Sequence, residues 1–281
     1  MRTPEPGPDD RAPIAATELG QAGHSNRAAA SFRVSVGPIN STAPMLLLAL
    51  PMPTAALLYD VHGNLPALEA VLDDARGAGA NTFLLGGDYA LFGPWPVETV
   101  AALDELENAT WIRGNVDRWS AFPDQAGDDE LLQRAIAACR EALGLALVTR
   151  LGELQEQVVV DGVRYCHASP ASDLRSFMPE PAEEDDDLLA GIGERRIVFG
   201  HTHLQFRRGR PDGIELLNPG SVGMPFDGDT RAAYALVSED GSIELRHVAY
   251  DHERSAAAMR EQFGDADWAI RSEHRLRTAR M

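Results

Sequence analysis

The feature of this sequence that most constrains its fold is an alternation of short apolar strands with amphipathic helices. Apolar runs at 55–59, 83–85 and 110–112 predict three strands. Helices are predicted to begin near Leu65, where apolar residues recur at helical spacing, and near Pro96, a residue suited to a first helical turn. This β-α-β-α-β order predicts parallel neighbouring strands joined by right-handed crossovers.

The second half of the sequence predicts hairpins instead of further crossovers. A helical stretch from about Asp129 to Val148 leads into a hairpin over 157–169, and a second hairpin is predicted over 233–248. Between the hairpins, the acidic segment 180–187 predicts a solvated loop and helix start, and 197–199 predicts a strand. Parallel units followed by hairpins predict an α/β fold, a mixed β-sandwich flanked by helices.

Three segments are predicted along the chain. Residues 1–44 are rich in Pro, Gly, Ala and Ser and show no hydrophobic period. We predict a disordered extension there, because such a segment buries too little apolar surface to offset its ordering entropy. Residues 45–250 are predicted to form the main domain, which carries the candidate site, and residues 251–281 a helical tail docked on it.

The composition excludes several function classes. All 25 basic residues are arginine, so the chain has no lysine for a Schiff base or a P-loop. With 43 acidic residues the formal net charge is −18, which argues against nucleic acid as a partner but permits a small phosphorylated substrate neutralised by metal ions.

The cysteine content and hydropathy predict a cytoplasmic protein. Cys139 and Cys166 are too few for a disulfide framework and are expected to be reduced thiols. No apolar run approaches the roughly 18–20 residues of a membrane span, so no membrane partner is expected. The sequence indicates no oligomeric state.

Potential metal ligands follow five of the predicted strands. They are two carboxylates, one carboxamide and four imidazoles, namely Asp60, His62, Asp88, Asn115, His167, His201 and His203. Because ligands of open α/β sheets collect outside the carboxyl ends of the strands, the five strand ends could deliver all seven to one cleft. Carboxylate and imidazole mixtures suit Mn, Fe, Zn, Co or Ni.

The number and spacing of these ligands favour two ions. Seven ligands are too many for one ion with an open position and about right for two ions that share a bridging carboxylate. Asp60 and His62 are separated by one residue, and so are His201 and His203. Because alternate residues of an extended chain point the same way, each pair could aim both side chains at one ion.

Five short sequence blocks carry a resemblance to a known family. In chain order they are Asp60-Val61-His62, Gly87-Asp88, Gly114-Asn115-Val116-Asp117, His167 and Gly200-His201-Thr202-His203. The series resembles the pattern of the calcineurin-like metallophosphoesterase superfamily. The segments around residues 60–68 and 218–223 are similar to its small bacterial, YfcE-like phosphodiesterase branch. The resemblance covers roughly residues 55–250.

The resemblance implies a four-layer α/β/β/α sandwich and a centre of two divalent ions that hydrolyses phosphodiester or phosphomonoester bonds. Asp60, His62 and His203 would hold one ion. Asn115, His167 and His201 would hold the second, and Asp88 would bridge the two. A hydroxide between the ions would attack phosphorus, which makes Asp88, Asn115 and His201 the expected catalytic residues.

One position departs from the pattern of many superfamily members. Val116 stands where those members have a histidine, which is proposed to protonate the leaving group. A general acid contributes about 10²–10⁴-fold, so alkoxide leaving groups should lose most without it. We therefore expect better relative activity on aryl esters or activated phosphodiesters than on alkyl monoesters. YfcE-like members also lack this histidine, so the departure is compatible with catalysis.

Three neighbouring residues have two interpretations each. Asn64 could donate to a substrate phosphate or cap the helix that begins at Leu65. Arg118 could pair with a substrate phosphate in the bidentate manner of arginine or form a surface salt bridge. Asp117 could orient a neighbouring residue or simply begin the next turn. Asn64 and Arg118 are the candidate substrate-binding residues.

Other functions are open on the same fold. The chain could be a protein serine/threonine phosphatase, although such enzymes keep the histidine that Val116 replaces. It could also be a non-catalytic scaffold that binds proteins. The presence of candidate metal ligands in all five blocks argues against a scaffold. Nucleic acid hydrolysis is disfavoured by the acidic charge and the lack of a basic stripe.

Overall fold

The computed structural model describes residues 54–281, which form two five-stranded sheets with helices around them. The predicted disordered extension over 1–44 and the start of the predicted main domain, up to residue 53, lie outside the described residues. Within the described residues, no helix is long and apolar enough to cross a membrane.

The first sheet contains the three parallel strands that the β-α-β-α-β pattern predicts. Its strands, numbered in chain order, are β1 (Thr54–Leu58), β2 (Ala80–Leu85), β3 (Ala109–Trp111), β9 (Ala232–Val237) and β10 (Ile243–Val248). Their order is β10-β9-β1-β2-β3. β2 pairs in parallel with β1 and β3, whereas β9 pairs antiparallel with β1 and β10.

The second sheet combines two hairpins with parallel pairing between them. Its strands are β4 (Gln157–Val160), β5 (Val163–Cys166), β6 (Arg196–Val198), β7 (Gln205–Gly209) and β8 (Glu215–Pro219), in the order β4-β5-β6-β8-β7. β7 was not expected from the sequence. This strand lies at the sheet edge and contains Arg207 and Arg208, so it lacks the apolar alternation that marks a strand.

The two sheets pack face to face. Leu57, Tyr59 and Leu84 of the first sheet lie in one apolar cluster with Val198 and Leu217 of the second. The hydroxyl of Tyr59 donates a hydrogen bond to the Val198 carbonyl at 3.3 Å, which ties the sheets at the end where β1 and β6 finish. The apolar layer between the sheets therefore fixes the strand ends of both sheets relative to one another.

Helices cover the outer faces of both sheets, and the fold is the predicted α/β/β/α sandwich. The helices are α1 (Leu65–Gly77), α2 (Pro96–Asp104), α3 (Asn115–Ala121), α4 (Glu130–Gly152), α5 (Asp185–Leu188), α6 (His252–Phe263) and α7 (Asp267–Thr278). A 3-10 turn occupies Pro123–Ala126. The short α5 and nearby loops cover the second sheet, where Phe177 and Leu188 pack on Phe199.

The remaining helices pack on the first sheet or on one another. In α1, Leu68, Val71 and Leu72 are spaced to form one buried apolar face. Met259 of α6 and Trp268 of α7 belong to the same core cluster as these residues. The end of the chain therefore shares the core of the first sheet.

The acidic segment 180–187 was predicted to be solvated, but one of its carboxylates is buried. Asp185 is buried, and its carboxylate accepts a hydrogen bond from Arg208 Nη2 at 2.7 Å and lies 3.5 Å from Arg210 Nη1. Two arginines supply the charge that a buried carboxylate needs. Its acidic neighbours are exposed as expected.

Candidate metal centre

The structure brings all seven predicted metal ligands together at one edge of the sandwich. They come directly after the strands, with Asp60 and His62 after β1, Asp88 after β2, Asn115 at the start of α3, His167 after β5, and His201 and His203 after β6. Six of them are buried, and His201 is partly buried. The adjacent carboxyl ends of parallel strands account for this convergence.

Three of the seven side chains form a first group. Asp60 Oδ1 lies 3.4 Å from His203 Nε2 and 4.0 Å from His62 Nε2. The two Nε2 atoms are 3.1 Å apart. One carboxylate oxygen and two imidazole nitrogens therefore face a common point, as the ligands of one ion would.

A second group forms around the carboxamide oxygen of Asn115. This oxygen lies 2.9 Å from His167 Nε2 and 2.9 Å from His201 Nδ1. Asp88 Oδ2 lies 3.3 Å from His167 Nε2. Two imidazoles, one amide oxygen and one carboxylate therefore make up the second set of donors.

Both carboxylates lie between the two groups. Asp88 Oδ2 is 3.8 Å from His62 Nε2 in the first group, in addition to its contact with His167. Asp60 Oδ1 is 3.9 Å from His167 Nε2 in the second group. The shared position that the resemblance implies for Asp88 is thus accessible to Asp60 as well.

The environment of one buried oxygen, Asp60 Oδ1, shows whether these residues suit a metal ion. Asp60 Oδ1 is buried and has no hydrogen-bond partner, whereas Asp60 Oδ2 accepts from the backbone N–H of His201 at 3.0 Å. An unpartnered buried carboxylate oxygen is costly, because no group replaces its lost hydration. A cation among Asp60, His62 and His203 would supply that partner, so the donor set fits the divalent ions expected from the sequence.

Backbone carbonyls fix the tautomers of three imidazoles. The Nδ1 atoms of His62 and His167 each donate to a carbonyl oxygen, that of Leu91 at 2.9 Å and that of Gly86 at 2.9 Å. His203 Nδ1 donates in the same way to the carbonyl of Met224. Because a carbonyl only accepts, each of these Nδ1 atoms carries a proton, and the other ring nitrogen, Nε2, faces the cluster.

The electrostatic surroundings set the charge of the imidazoles. Burial and the neighbouring His203 lower the pKa of His62 to about 4. Burial and the neighbouring His167 lower the pKa of His201 to about 4. Burial also acts to lower the pKa of His167, but Asp88 and Asp60 outweigh it and raise that pKa to about 10. Near neutral pH, His62 and His201 are therefore neutral, as metal ligation requires.

The backbone of five ligands has left-handed geometry. The φ angles are positive at Asp60 (54°), His62 (48°), Asp88 (61°), His201 (68°) and His203 (57°). Such angles are uncommon outside glycine and concentrate at functional sites. Alternation along an extended chain was expected to aim Asp60 with His62 and His201 with His203, and this expectation is therefore wrong for both pairs. Tight turns aim them instead.

Backbone hydrogen bonds between neighbouring turns hold this geometry. The N–H of Asp60 donates to the carbonyl of Gly87 at 3.1 Å, and the N–H of His62 donates to that of Asp88 at 2.9 Å. Gly114 allows the third turn to approach closely, since a Cβ there would lie 2.0 Å from Asp88 Oδ1. The three turns of the first sheet thus support one another.

Asp117 orients the loop that carries Asp88. Its Oδ2 accepts from the backbone N–H groups of Asp88 at 2.8 Å and Gly114 at 2.9 Å, and its Oδ1 accepts from that of Tyr89 at 3.1 Å. Of the two interpretations left open by the sequence, the orienting role is the one that the structure shows. Burial and the nearby Asp88 raise the pKa of Asp117 to about 7.

Val116 contributes its backbone to the site. Its N–H donates to Asp88 Oδ1 at 3.0 Å, which leaves Asp88 Oδ2 toward the imidazoles. The valine side chain is 2 % exposed and belongs to the apolar core. This side chain carries no proton for a leaving group.

The structure corrects the assignment of Asn64 to substrate binding. Asn64 is completely buried, and its Nδ2 donates to the Gly223 carbonyl at 2.7 Å and the Tyr250 hydroxyl at 3.0 Å. Its Oδ1 accepts from Ser255 Oγ at 2.8 Å. It makes no side-chain cap to α1 either. Its partners lie far along the chain, so no local sequence signal could reveal them.

The structure also places Arg118 in a salt bridge. Its Nε and Nη2 contact both carboxylate oxygens of Asp173 at 2.6 and 3.0 Å, and its Nη1 donates to Gln125. Because the bidentate face of the guanidinium is occupied, Arg118 does not offer that face to a phosphate. Of the two interpretations of Arg118, a salt bridge or substrate binding, the structure shows the salt bridge.

Comparisons with known proteins agree with this geometry. A family model described as the calcineurin-like phosphoesterase superfamily domain matches residues 54–242, which include all seven ligands. An uncharacterized protein of Methanocaldococcus jannaschii is 29% identical over 217 residues, which cover 70% of this chain and 87% of the relative. The phosphodiesterase YfcE of Escherichia coli K12 is 29% identical over 192 residues, 64% of this chain and 85% of YfcE.

Two solved structures share the fold over nearly their whole length. A metallophosphoesterase from Sphaerobacter thermophilus superposes with a TM-score of 0.69 at 25% identity, covering 81% of this chain and 99% of the other. A hypothetical protein from Pyrococcus horikoshii superposes with a TM-score of 0.70 at 20% identity, with the same coverage.

Proposed function

Because this chain belongs to the calcineurin-like phosphoesterase superfamily, we propose that it is a dinuclear metal-dependent hydrolase of phosphodiesters with good leaving groups. The observation that carries the proposal is the unpartnered, buried Asp60 Oδ1, which faces the Nε2 atoms of His62 and His203. The phosphodiesterase name of the similar Escherichia coli protein supports the choice of substrate class.

Each ion would have its own ligands in this proposal. Asp60, His62 and His203 would hold one ion, and Asn115, His167 and His201 the second, with Asp88 shared. When bound, two divalent ions acidify water as the nucleophile and stabilise charge on the attacking and leaving oxygens. Manganese, iron, zinc, nickel and cobalt all suit this donor set.

The protein's own contribution is to hold the donors in place. Carbonyls of Leu91, Gly86 and Met224 orient three imidazoles, and the backbone N–H of Val116 turns Asp88 Oδ2 toward them. Such supporting contacts typically change metal affinity or activity about 10–100-fold when removed. Since the Val116 side chain supplies no proton, the site favours leaving groups that depart as stable anions.

A small phosphorylated molecule is the proposed substrate, and nucleic acid is not, because the net charge is −18. Location in the cytoplasm stays a prediction. The experiment below distinguishes this hydrolase from a non-catalytic scaffold on the same fold. The complete set of seven ligands supports catalysis over the scaffold.

The test is hydrolysis of bis-p-nitrophenyl phosphate by the full chain, stripped of metal and then given Mn²⁺, Ni²⁺, Co²⁺, Zn²⁺ or Mg²⁺. We expect metal-dependent turnover that Asp88→Asn lowers by at least about a hundredfold. Asp104→Asn is the matched control, because Asp104 pairs with Arg150 on the surface and contacts none of the ligands. Absence of both bound metal and turnover would favour the scaffold.

A further inference from the structure

A cavity of about 490 Å³ opens directly beside the metal centre. His201, the ligand that is only partly buried, forms part of its wall. Phe226 forms another part, and its ring stacks on that of His203 with 4.3 Å between centroids and 13° between planes. One residue of the proposed centre thus lines the cavity, and a second supports its wall.

The wall of this cavity is mainly apolar. Leu174, Met178, Leu204 and Phe226 line it, and the first two are 43 % and 46 % exposed. Large apolar side chains that are exposed together beside a functional site commonly mark a binding surface. The stacking of Phe226 on His203 places this apolar wall next to the centre.

The polar groups of the wall leave few contacts for a polar ligand. Ser176 Oγ donates to the Ala168 carbonyl at 2.9 Å, and Thr202 Oγ1 accepts from Asn218 Nδ2 at 2.9 Å. Of the described residues lining the cavity, none is Asp or Glu, although the chain has 43 acidic residues. Among these described lining residues, Arg280 supplies the one guanidinium. This surface suits an apolar group attached to an anion and disfavours a cation.

We propose that this cavity binds the apolar or aryl ester group of the substrate while the phosphoryl group lies at the metal centre. The proposal rests on the proposed function and adds the chemical class of the organic group. A volume of about 490 Å³ lies within the range of small-molecule sites, which supports part of a substrate as the occupant. Continuity with His201 places an ester group there when its phosphorus is at the ions.

The test compares binding of phenylphosphonate and methylphosphonate to the Mn²⁺-loaded full chain by titration calorimetry. Each carries one phosphonate group that cannot be hydrolysed at its P–C bond, and at a pH where both are dianions their affinity ratio isolates the organic group. We expect phenylphosphonate to bind at least about tenfold more tightly. In the double variant Leu174→Gln/Met178→Gln, the ratio should fall to about threefold or less.

Val159→Gln is the matched control, since Val159 is 45 % exposed on β4 and does not line the cavity. It should keep the wild-type ratio. Equal affinities in the wild type, or an unchanged ratio in the double variant, would overturn the proposal. Turnover of bis-p-nitrophenyl phosphate reports separately on the proposed function. If the wild type turns over bis-p-nitrophenyl phosphate but binds both phosphonates equally, only the cavity proposal is wrong. If the wild type shows neither turnover nor phosphonate binding, both the cavity proposal and the proposed function are wrong.

Discussion

Ser255 Oγ donates a hydrogen bond of 2.8 Å to Asn64 Oδ1, although 191 positions separate the two residues. Ser255 lies in α6, and Asn64 lies two residues beyond His62. Both side chains are completely buried. The helix near the end of the chain therefore holds the loop that supplies the first two candidate metal ligands.

Removing this hydrogen bond should weaken the centre without touching a ligand. Ser255→Ala leaves Asn64 Oδ1 buried without a donor, so we expect a loss of about 1–3 kcal/mol in the free energy of unfolding. We also expect Mn²⁺ to bind more weakly because the loop is less restrained. Denaturant titration and calorimetry measure the two effects. Ser238→Ala is the control, because Ser238 is only partly buried and follows β9, away from the candidate ligands. Unchanged metal affinity in Ser255→Ala would show that the contact supports the fold alone.

A methyl group at position 114 should disrupt the second metal group. In Gly114→Ala the added Cβ would lie 2.0 Å from Asp88 Oδ1, so the two turns must separate. We expect metal affinity to fall by at least about tenfold, measured by calorimetry. Gly77→Ala is the matched control, because no atom lies within 4 Å of a Cβ there. Equal affinities of the two variants would contradict the prediction.

Metal binding should release a proton from His167. Burial lowers its pKa, but Asp88 and Asp60 raise it to about 10, so the metal-free imidazole is charged at pH 7.5. The pKa values of His62 and His201, lowered to about 4 by burial and neighbouring imidazoles, give no proton at this pH.

Calorimetry in buffers of different ionisation enthalpy should therefore detect about one proton released per chain from His167. Metal affinity should rise with pH up to about 10, where the imidazole loses its proton unaided. In metal-free protein, the stabilisation from charged His167 is complete below about pH 6.5 and is lost as pH rises through about 10. His167→Gln should abolish the proton release, and its persistence in that variant would contradict the assignment.

The leaving group should control the rate. Because Val116 packs in the core and supplies only its backbone, we expect p-nitrophenyl phosphodiesters to be hydrolysed at least about a hundredfold faster than β-glycerophosphate. Steady-state kinetics at saturating metal measure the comparison. Equal rates would mean that another group protonates the alkoxide.

Replacing Val116 with histidine should not supply a proton to the leaving group. The position is 2 % exposed, so Val116→His would bury an imidazole and destabilise the fold by about 1–3 kcal/mol. Thermal unfolding measures this loss, with the exposed Val159→His as its control. A large gain in β-glycerophosphate hydrolysis by Val116→His would contradict the burial argument.

The sequence allowed the fold to be predicted because its signals are local. Apolar runs such as 55–59 and 83–85 end at Asp60 and Asp88, which made both the parallel strands and their ligand-bearing ends recognisable. β7 was missed because an edge strand containing two arginines has no apolar period. α3 was missed because its seven residues are too few to show one.

The parts of the site that escaped prediction depend on distant contacts. Asn64 reaches Tyr250 and Ser255, and Arg118 reaches Asp173, at separations that a local pattern cannot encode. The left-handed backbone at Asp60 and His62 likewise follows from hydrogen bonds to the β2 turn. Residue type indicated the chemistry of these positions, but packing decided their roles.

The candidate ligands are divided between the two sheets, so a metal ion bound among them would hold the sheets together. Asp60, His62, Asp88 and Asn115 follow strands of the first sheet, and the three remaining histidines follow strands of the second. An ion bound across this seam holds both layers and has no comparable site in the unfolded chain. Ligation and folding are therefore thermodynamically linked, and each increment of free metal raises the melting temperature by mass action. We therefore expect the melting temperature of this protein to rise with its metal occupancy.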